Sequence, residues 1–443
     1  MNVWTFHMGE LLRIDPSPRL FRYGLLAEVI LSKGHSVVQW APTFNHFAKE
    51  HRKIASGLID VQKGHQVFLV DAGRYKKNIS FARWLFNARF ARRFRTLAGG
   101  ISRPDIIICS VPSVEMCCAA LDFAEPFGIP VILDIRDCWP DLIIERSPPI
   151  VRPIARVALR SMERQLRRSV ERAAAIIGVG DGMIDWALSK AGRARTIREK
   201  VFRTAYPTAR LDTDVSKSEE YWRNHGVEIF GNKNIVAIVG SLNENLGYDL
   251  LAKEISAIPT DLRSEVQFVI CGEGPMRKIY SDLQTTLGNS VISAPGWTQA
   301  GDLSALLNCA IAAVHPYPDR FDLLMCAPNK VGEYLSYGLP VLACTDGEVR
   351  RLLEHYRFGL IYDGSRPGSL LGCISRLISE PGLRNKLSHN ARRAFEYEFD
   401  AERVYGELAN YLEQLFSELQ LTECVRTPYA AFGRSSASVT NVH

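Results

Sequence analysis

The chain has 443 residues, 47% of them hydrophobic and 23% charged, with 54 Lys and Arg against 48 Asp and Glu for a formal net charge of +6. That length exceeds what one hydrophobic core usually serves, so two domains are the default, and the composition is that of a globular protein rather than a fibrous or disordered one. The ten cysteines include no C-x-x-C pair and no Cys/His spacing suited to zinc, which argues against a disulfide framework and a structural metal. Residues 1–19 lack a basic segment followed by a long apolar one, and no apolar run approaches ~20 residues. A reducing cytoplasm is the expected location, with any membrane contact made at the surface.

Taken in order, residues 3–7 read as a strand, 9–19 as a loop, 20–33 as a helix stopped by Gly34, and 36–40 as a second strand. Further strands are expected at 67–70, 106–109, 131–135 and 174–179. Such alternation predicts a parallel sheet with helices on both faces, whose ligands sit beyond the carboxyl ends of the strands. Arg19, Arg22 and the loop at Gly9 are therefore expected to face a cleft. The run from Asp134 to Asp141, DIRDCWPD, leaves a buried strand with charges that are costly unless paired or used. Arg136 and Asp137 are site candidates there, a structural ion pair being the competing account.

Two basic segments stand apart. Residues 74–95 hold eight Lys or Arg and no acid. Read as one helix, they place Ile79, Phe86, Phe90, Phe94 and Leu97 on a docking stripe, with Phe81, Trp84 and Leu85 among arginines on the other side, a pattern suited to an anionic membrane surface. Residues 152–172 read as a second helix, with Arg152, Arg156, Arg160, Arg164 and Arg167 in a strip beside Leu159, Met162, Leu166 and Val170. That strip is either a solvated face or a contact for phosphates of a lipid carrier or membrane. No nucleic-acid recognition module accompanies it, so nucleic acid is not expected as a partner.

Ala205-Tyr206-Pro207 reads as the crossing to a second domain, reached through a polar segment at 211–233. There the strand 235–239 runs into Gly240-Ser241, where a glycine lets the backbone approach a ligand as a phosphate loop requires. A helix at 246–255 and a strand at 266–271 lead to Gly272-Glu273-Gly274-Pro275, and a strand at 291–294 leads to Pro295-Gly296-Trp297. Apolar runs at 310–314 and 339–343 read as further strands. Between the last two, Pro328-Asn329-Lys330 opens a short helix, capped by Asn329 or its neighbour, with Glu333 in its first turns and Gly338 at its end. Backbone N–H groups, a helix dipole and a lysine just beyond a strand would suit a diphosphate.

PNKVGEYLSYGLPVL resembles the donor-nucleotide motif of glycosyltransferase family 4, retaining sugar transferases of the GT-B fold, especially the bacterial surface-polysaccharide members. GEGP resembles the G[DE]GP turn of that family, and the segment from Arg136 to Pro140 its RDxWP segment. The resemblance is close from 235 to 346 and fainter in the N-terminal half. It implies an α/β GT-B protein of two Rossmann-like domains facing a central cleft: an acceptor domain at 1–208, a donor domain at 209–395, a helix at 396–420 returning to the first domain, and a disordered tail at 421–443. It further implies a UDP- or GDP-sugar donor and a glycan or lipid-linked acceptor, with no cofactor besides the nucleotide-sugar co-substrate and no metal.

By the same resemblance Glu333 holds ribose hydroxyls, while Pro328, Asn329, Lys330, Gly240, Ser241, Gly272 and Gly274 surround the nucleotide and backbone near Trp297 meets its base. Asp137 orients the sugar or acceptor hydroxyl, Arg136 meets an anion, Trp139-Pro140 shapes the wall, and His46, Arg19 and Arg22 lie on the acceptor side. Three positions depart from the family: Met325 stands for the first of its paired glutamates, and Ser241 and Leu246 stand where many members carry an arginine and a lysine. Lys330, the helix N-terminus and Arg320 are the residues expected to compensate the leaving group's charge. A non-catalytic GT-B subunit and a nucleotide-sugar epimerase are the alternative readings.

Overall fold

A computed structural model describes residues 1–16, 19–208 and 215–426, and these fall into two compact units. The first comprises Met1–Ile177, Ala187–Lys200 and the residues from Gly406 onward; the second comprises Gly178–Trp186 and Val201–Tyr405.

The N-terminal half supplies ten strands: β1 (Asn2–Phe6), β2 (Ser36–Pro42), β3 (Phe44–Asn45), β4 (Glu50–His51), β5 (Gly57–Gln62), β6 (His65–Val70), β7 (Ile106–Val111), β8 (Val131–Ile135), β9 (Ala175–Gly178) and β10 (Lys200–Val201). Eight of them form one sheet in the order β10-β9-β8-β7-β1-β2-β6-β5, and β3 with β4 makes a separate hairpin. The pairings among β8, β7, β1, β2 and β6 are parallel, while β5 runs antiparallel to β6. The central strands are buried along their whole length, as continuous apolar runs such as IIICSV and VILDI require when helices cover both faces. On one face the core is aromatic: Trp40 stacks on Phe68 at 4.3 Å between centroids and meets Phe94 edge-on at 4.8 Å, and Phe6 and Trp4 join them.

The helix expected over 20–33 spans Arg22–Ser32, and the arginine helix spans Arg152–Arg172 as read. The other basic segment differs. Its helix is Phe81–Leu97, because Ser80 caps it by accepting the Arg83 N–H at 3.2 Å, and the residues before Ser80 form a loop. Phe86, Asn87, Phe90, Ala91 and Phe94 make its buried face, while Ile79 and Leu97, expected on that stripe, are 36% and 37% exposed.

The second unit holds β11 (Asn234–Val239), β12 (Val266–Cys271), β13 (Ile292–Gly296), β14 (Ala312–His315), β15 (Val341–Ala343) and β16 (Gly359–Ile361), ordered β13-β12-β11-β14-β15-β16 with every pairing parallel. Alternate residues feed two cores. Ile235, Ala237 and Val239 face one with Val331, Tyr334 and Leu335, and Val236 and Ile238 face the other with Tyr248, Ile255 and Tyr280. The helix Ala401–Arg426 continues past the point where a tail was expected, and residues 427–443 lie outside the described set. Its Glu413 accepts from His35 Nε2 at 2.8 Å and pairs with Lys33 at 3.2 Å. Among the described residues, no helix is long and apolar enough to cross a membrane.

Candidate functional site

In the second unit the sequence-predicted residues gather at the carboxyl ends of β11, β12 and β14. The helix Asn329–Ser336 starts after Pro328, and neither Pro328 nor Asn329 caps it: Pro328 occupies the cap position without a side-chain hydrogen bond, and Asn329 is exposed as the first helical residue. The start of the helix therefore presents its amides uncovered by a cap. Lys330, next along, is only 8% exposed; its Nζ donates to the Tyr248 hydroxyl at 2.9 Å and stands 4.4 Å from the Tyr317 ring centroid. Burial pushes this ammonium down to about 7, against an upward pull from Glu333. Glu333 follows one turn later on the same face and is half-buried.

The strand ends fit around that lysine through glycine. Gly240 has φ +145°, and a Cβ there would lie 2.6 Å from Lys330 Nζ; Gly272 has φ +156°, and a Cβ there would lie 1.8 Å from the Gly240 carbonyl oxygen. Both positions are open to glycine alone without rearrangement. Gly274 lies in the next turn, against Leu242. The helix is fastened to this turn by Tyr334, whose hydroxyl accepts the Val239 N–H at 2.8 Å and donates to the Val239 carbonyl at 3.2 Å.

Three residues that the sequence reading passed over complete the pocket: Tyr248, Tyr317 and His315. His315 ends β14, is buried beside Tyr317 at 4.4 Å between rings, and has no hydrogen-bond partner on Nδ1. Burial, and then the charge of Lys330, holds its pKa well below the usual range, so it is an uncharged polar group. Its place at a strand end was the signal available. Arg320 differs from expectation: its guanidinium is held by Asp322 at 2.5 and 2.8 Å, so its charge is already matched. Ser241 is exposed and Leu246 half-buried; Trp297 is 73% exposed, and its backbone N–H donates to Glu273 at 3.2 Å. Met325 packs its backbone on Gly180, where a Cβ would come within 2.3 Å of the Met325 oxygen.

The first unit carries its own polar cluster. Arg22 does not reach solvent: at 0% exposure it holds Asp134 through Nε at 2.7 Å and Nη2 at 2.9 Å, and the Tyr23 hydroxyl donates to the same carboxylate at 2.9 Å. This corrects its expected place on the acceptor side, because a guanidinium buried with its counter-ion has no face left for a ligand. Arg136 pairs with Glu10 at 2.6 Å, and Glu10 also accepts the Tyr23 N–H at 2.9 Å. Glu10, which the sequence reading did not single out, thus joins the Gly9 loop to the end of β8.

Asp137 is half-buried and accepts the Cys138 N–H at 2.9 Å. Trp139, expected to line a wall, is 3% exposed with Arg83 over its ring at 4.7 Å. Arg19 is exposed. His46 bonds through Nδ1 to the Tyr75 hydroxyl at 2.6 Å, and burial, followed by the charges of Lys49 and Arg83, lowers its pKa to about 4. It is therefore neutral at physiological pH. His7 is half-buried, and its pKa is lowered by desolvation and then by Arg136.

A parallel sheet with glycine turns, an uncapped helix start and a buried lysine at its carboxyl edge defines a Rossmann-like unit, and the chain has the GT-B fold. Residues 222–394 match the family described as Glycosyl transferases group 1. The chain is 24% identical over 277 residues to an alpha-D-kanosaminyltransferase of Streptomyces kanamyceticus, a match covering 60% of this chain and 65%, just under two thirds, of that relative. Among solved structures it is similar to a sucrose-phosphate synthase of Thermosynechococcus elongatus, with 14% identity, a TM-score of 0.70 and coverage of 94% and 99% of the two chains. It is also similar to the Anabaena protein HepE in complex with UDP, with 15% identity, a TM-score of 0.60 and coverage of 93% and 99%.

Proposed function

We propose that the protein is a hexosyltransferase that moves a sugar from a UDP- or GDP-linked donor to a glycan or lipid-linked acceptor in cell-surface polysaccharide synthesis, with retention at the anomeric carbon. The observation that carries this reading is the Gly240, Lys330 and helix-start arrangement, which offers one buried cation and uncapped amides to a diphosphate. The group 1 domain match over the same residues and the UDP complex of a similar fold support it.

In this reading Lys330 and the helix amides meet the charge that develops on the departing diphosphate, and Glu333 accepts from the ribose hydroxyls. The acceptor hydroxyl forms the new bond to the anomeric carbon as the bond to the phosphate oxygen breaks. Its proton passes to that departing oxygen, giving glycosylated acceptor and nucleoside diphosphate. Asp137 and Arg136 serve the acceptor side. Incubating the protein with a panel of nucleotide-sugars and membrane extract, with products read by mass spectrometry, tests the reading. Conversion of donor without acceptor would instead identify an epimerase, and absence of any nucleotide binding a non-catalytic subunit, the reading that the departures at Ser241, Leu246 and Met325 favour. Glu333→Ala is expected to raise the donor dissociation constant roughly tenfold, the loss of one charged hydrogen bond. Calorimetry showing unaltered binding would remove the ribose role.

The same reading places the enzyme on the cytoplasmic membrane face. Its support is the Arg152–Arg172 helix, where Ile154 and Val157 are 69% and 59% exposed beside the exposed Arg156, Arg160 and Arg164, with Ile150, 86% exposed, just before it. Apolar groups next to arginines suit the headgroup layer of an anionic bilayer. Reversing the charge at Arg156, Arg160 and Arg164 together is expected to release the protein from anionic liposomes in co-sedimentation. Unchanged binding would refute this contact.

A further inference from the structure

One cationic cluster has no ion-pair partner among the described residues. Lys49 Nζ donates to the Asn78 side chain at 2.7 Å and Arg83 Nη1 to the Asn78 carbonyl at 2.8 Å, and both stand over the Tyr75 ring, at 4.8 and 5.7 Å from its centroid. Among the described residues neither cation forms an ion pair. Two carboxylates, Asp137 and Glu115, act on Arg83 from beyond pairing distance. Glu115 is itself buried, and burial raises it to about 7, so it supplies less than a full charge near neutral pH. His46, bonded to the hydroxyl of the same Tyr75, is neutral near pH 7, its pKa lowered to about 4 by burial and then by Lys49 and Arg83. Two like charges held around one aromatic ring, repelling each other, call for an anion.

The border of the cluster is apolar and open. Phe47, the neighbour of His46, is 57% exposed and stacked on Phe21 at 5.8 Å; Phe81, at the start of the helix that bears Arg83, is 73% exposed and lies against Trp84 at 5.2 Å. A phosphate with an apolar substituent matches charge and rim together, whereas a free sugar phosphate would leave the aromatics without a partner.

We propose that Lys49 and Arg83 form a phosphate-binding subsite for the acceptor, with Phe47 and Phe81 receiving the hydrocarbon of a lipid-linked phosphate. This rests on the sugar-transfer reading, in which the first unit binds the acceptor, and adds what that acceptor carries.

Calorimetric titration of the full chain, saturated with UDP, with farnesyl phosphate, farnesol and inorganic phosphate tests it. Farnesyl phosphate is expected to bind at least about tenfold more tightly than either of the others, and the double variant Lys49→Gln/Arg83→Gln to lose that advantage. Lys49→Arg should keep most of it, and Lys63→Gln, an exposed lysine elsewhere in the same unit, all of it. Thermal melting and UDP titration of each variant verify that it is folded. Inorganic phosphate binding as tightly as farnesyl phosphate would overturn the lipid part of the proposal. Farnesyl phosphate binding that is absent, or unchanged in the double variant, would overturn the subsite. A parallel UDP titration separates this from failure of the donor site, since that site lies on other residues.

Discussion

Replacing Lys330 by alanine is expected to weaken UDP or GDP binding by roughly ten- to a hundredfold, the loss of a hydrogen bond from a charged donor of about 1.5–3 kcal/mol. The buried amine also gives the binding a pH signature. With its pKa lowered to about 7 in the ligand-free protein, Lys330 is largely neutral at pH 8, and a diphosphate beside it restores the charge. Binding above pH 7 therefore takes up a proton, so affinity falls as pH rises, by at most about tenfold per unit. Below pH 7 the amine is already charged, and the terminal phosphate of the nucleotide begins to protonate, so the informative window lies between 7 and 9. Calorimetry at pH 8 in buffers of different ionisation enthalpy should show uptake approaching one proton per UDP, and none in Lys330→Ala. Equal proton uptake in the two proteins would place the charge change elsewhere.

Asp134→Ala is expected to cost about 3–5 kcal/mol of stability, because it leaves the Arg22 guanidinium at 0% exposure without its counter-ion. For a unit of this size that corresponds to a melting temperature lower by roughly 10 °C, at about 2–4 °C per kcal/mol. The companion double variant Arg22→Met/Asp134→Leu removes both charges and should recover most of the loss, since a buried pair is stabilising only relative to a broken one. If Asp134→Ala melts like the parent, Arg22 has found another partner, and the pair is not what holds the Arg22–Ser32 helix on β8.

Much of this architecture was readable from residues. Strands β8 and β12 begin and end where the sequence places them, because a mostly apolar run is bounded by Pro130 and Arg136 in one case and by Glu265 and the turn glycine Gly272 in the other. Gly240 and Lys330 were legible for a related reason: a glycine at a strand end and a lysine at a helix start each carry a local physical signal. The misreadings share a cause as well. Arg22 looks like a cleft residue until Asp134, 112 positions away, is seen to reach it. The aromatic surroundings of Lys330 are equally non-local, since Tyr248 opens the helix Tyr248–Ser256 and Tyr317 lies in the loop after β14, segments that only the sheet brings together. Strand β5 escaped because its residues are all at least partly exposed and its apolar face is short, Ile59 and Val61 packing on a small core cluster, and its antiparallel pairing depends on the turn at Gly64. Residues 74–80 were drawn into a helix by their charge and by the match of Ile79 to the apolar stripe, when Ser80 is where the helix can begin.

Tyr334 has a mechanical consequence. By clamping both polar atoms of Val239 it welds the Asn329–Ser336 helix to the residue immediately before Gly240. The ammonium and the glycine it faces thus travel as one rigid body, and whatever gap a phosphate enters is set when the chain folds. In the sugar-transfer reading, adjustment to different donors then falls to the exposed segment after Gly240, Ser241 to Asn245, whose side chains, apart from Leu242, are not buried in the interior.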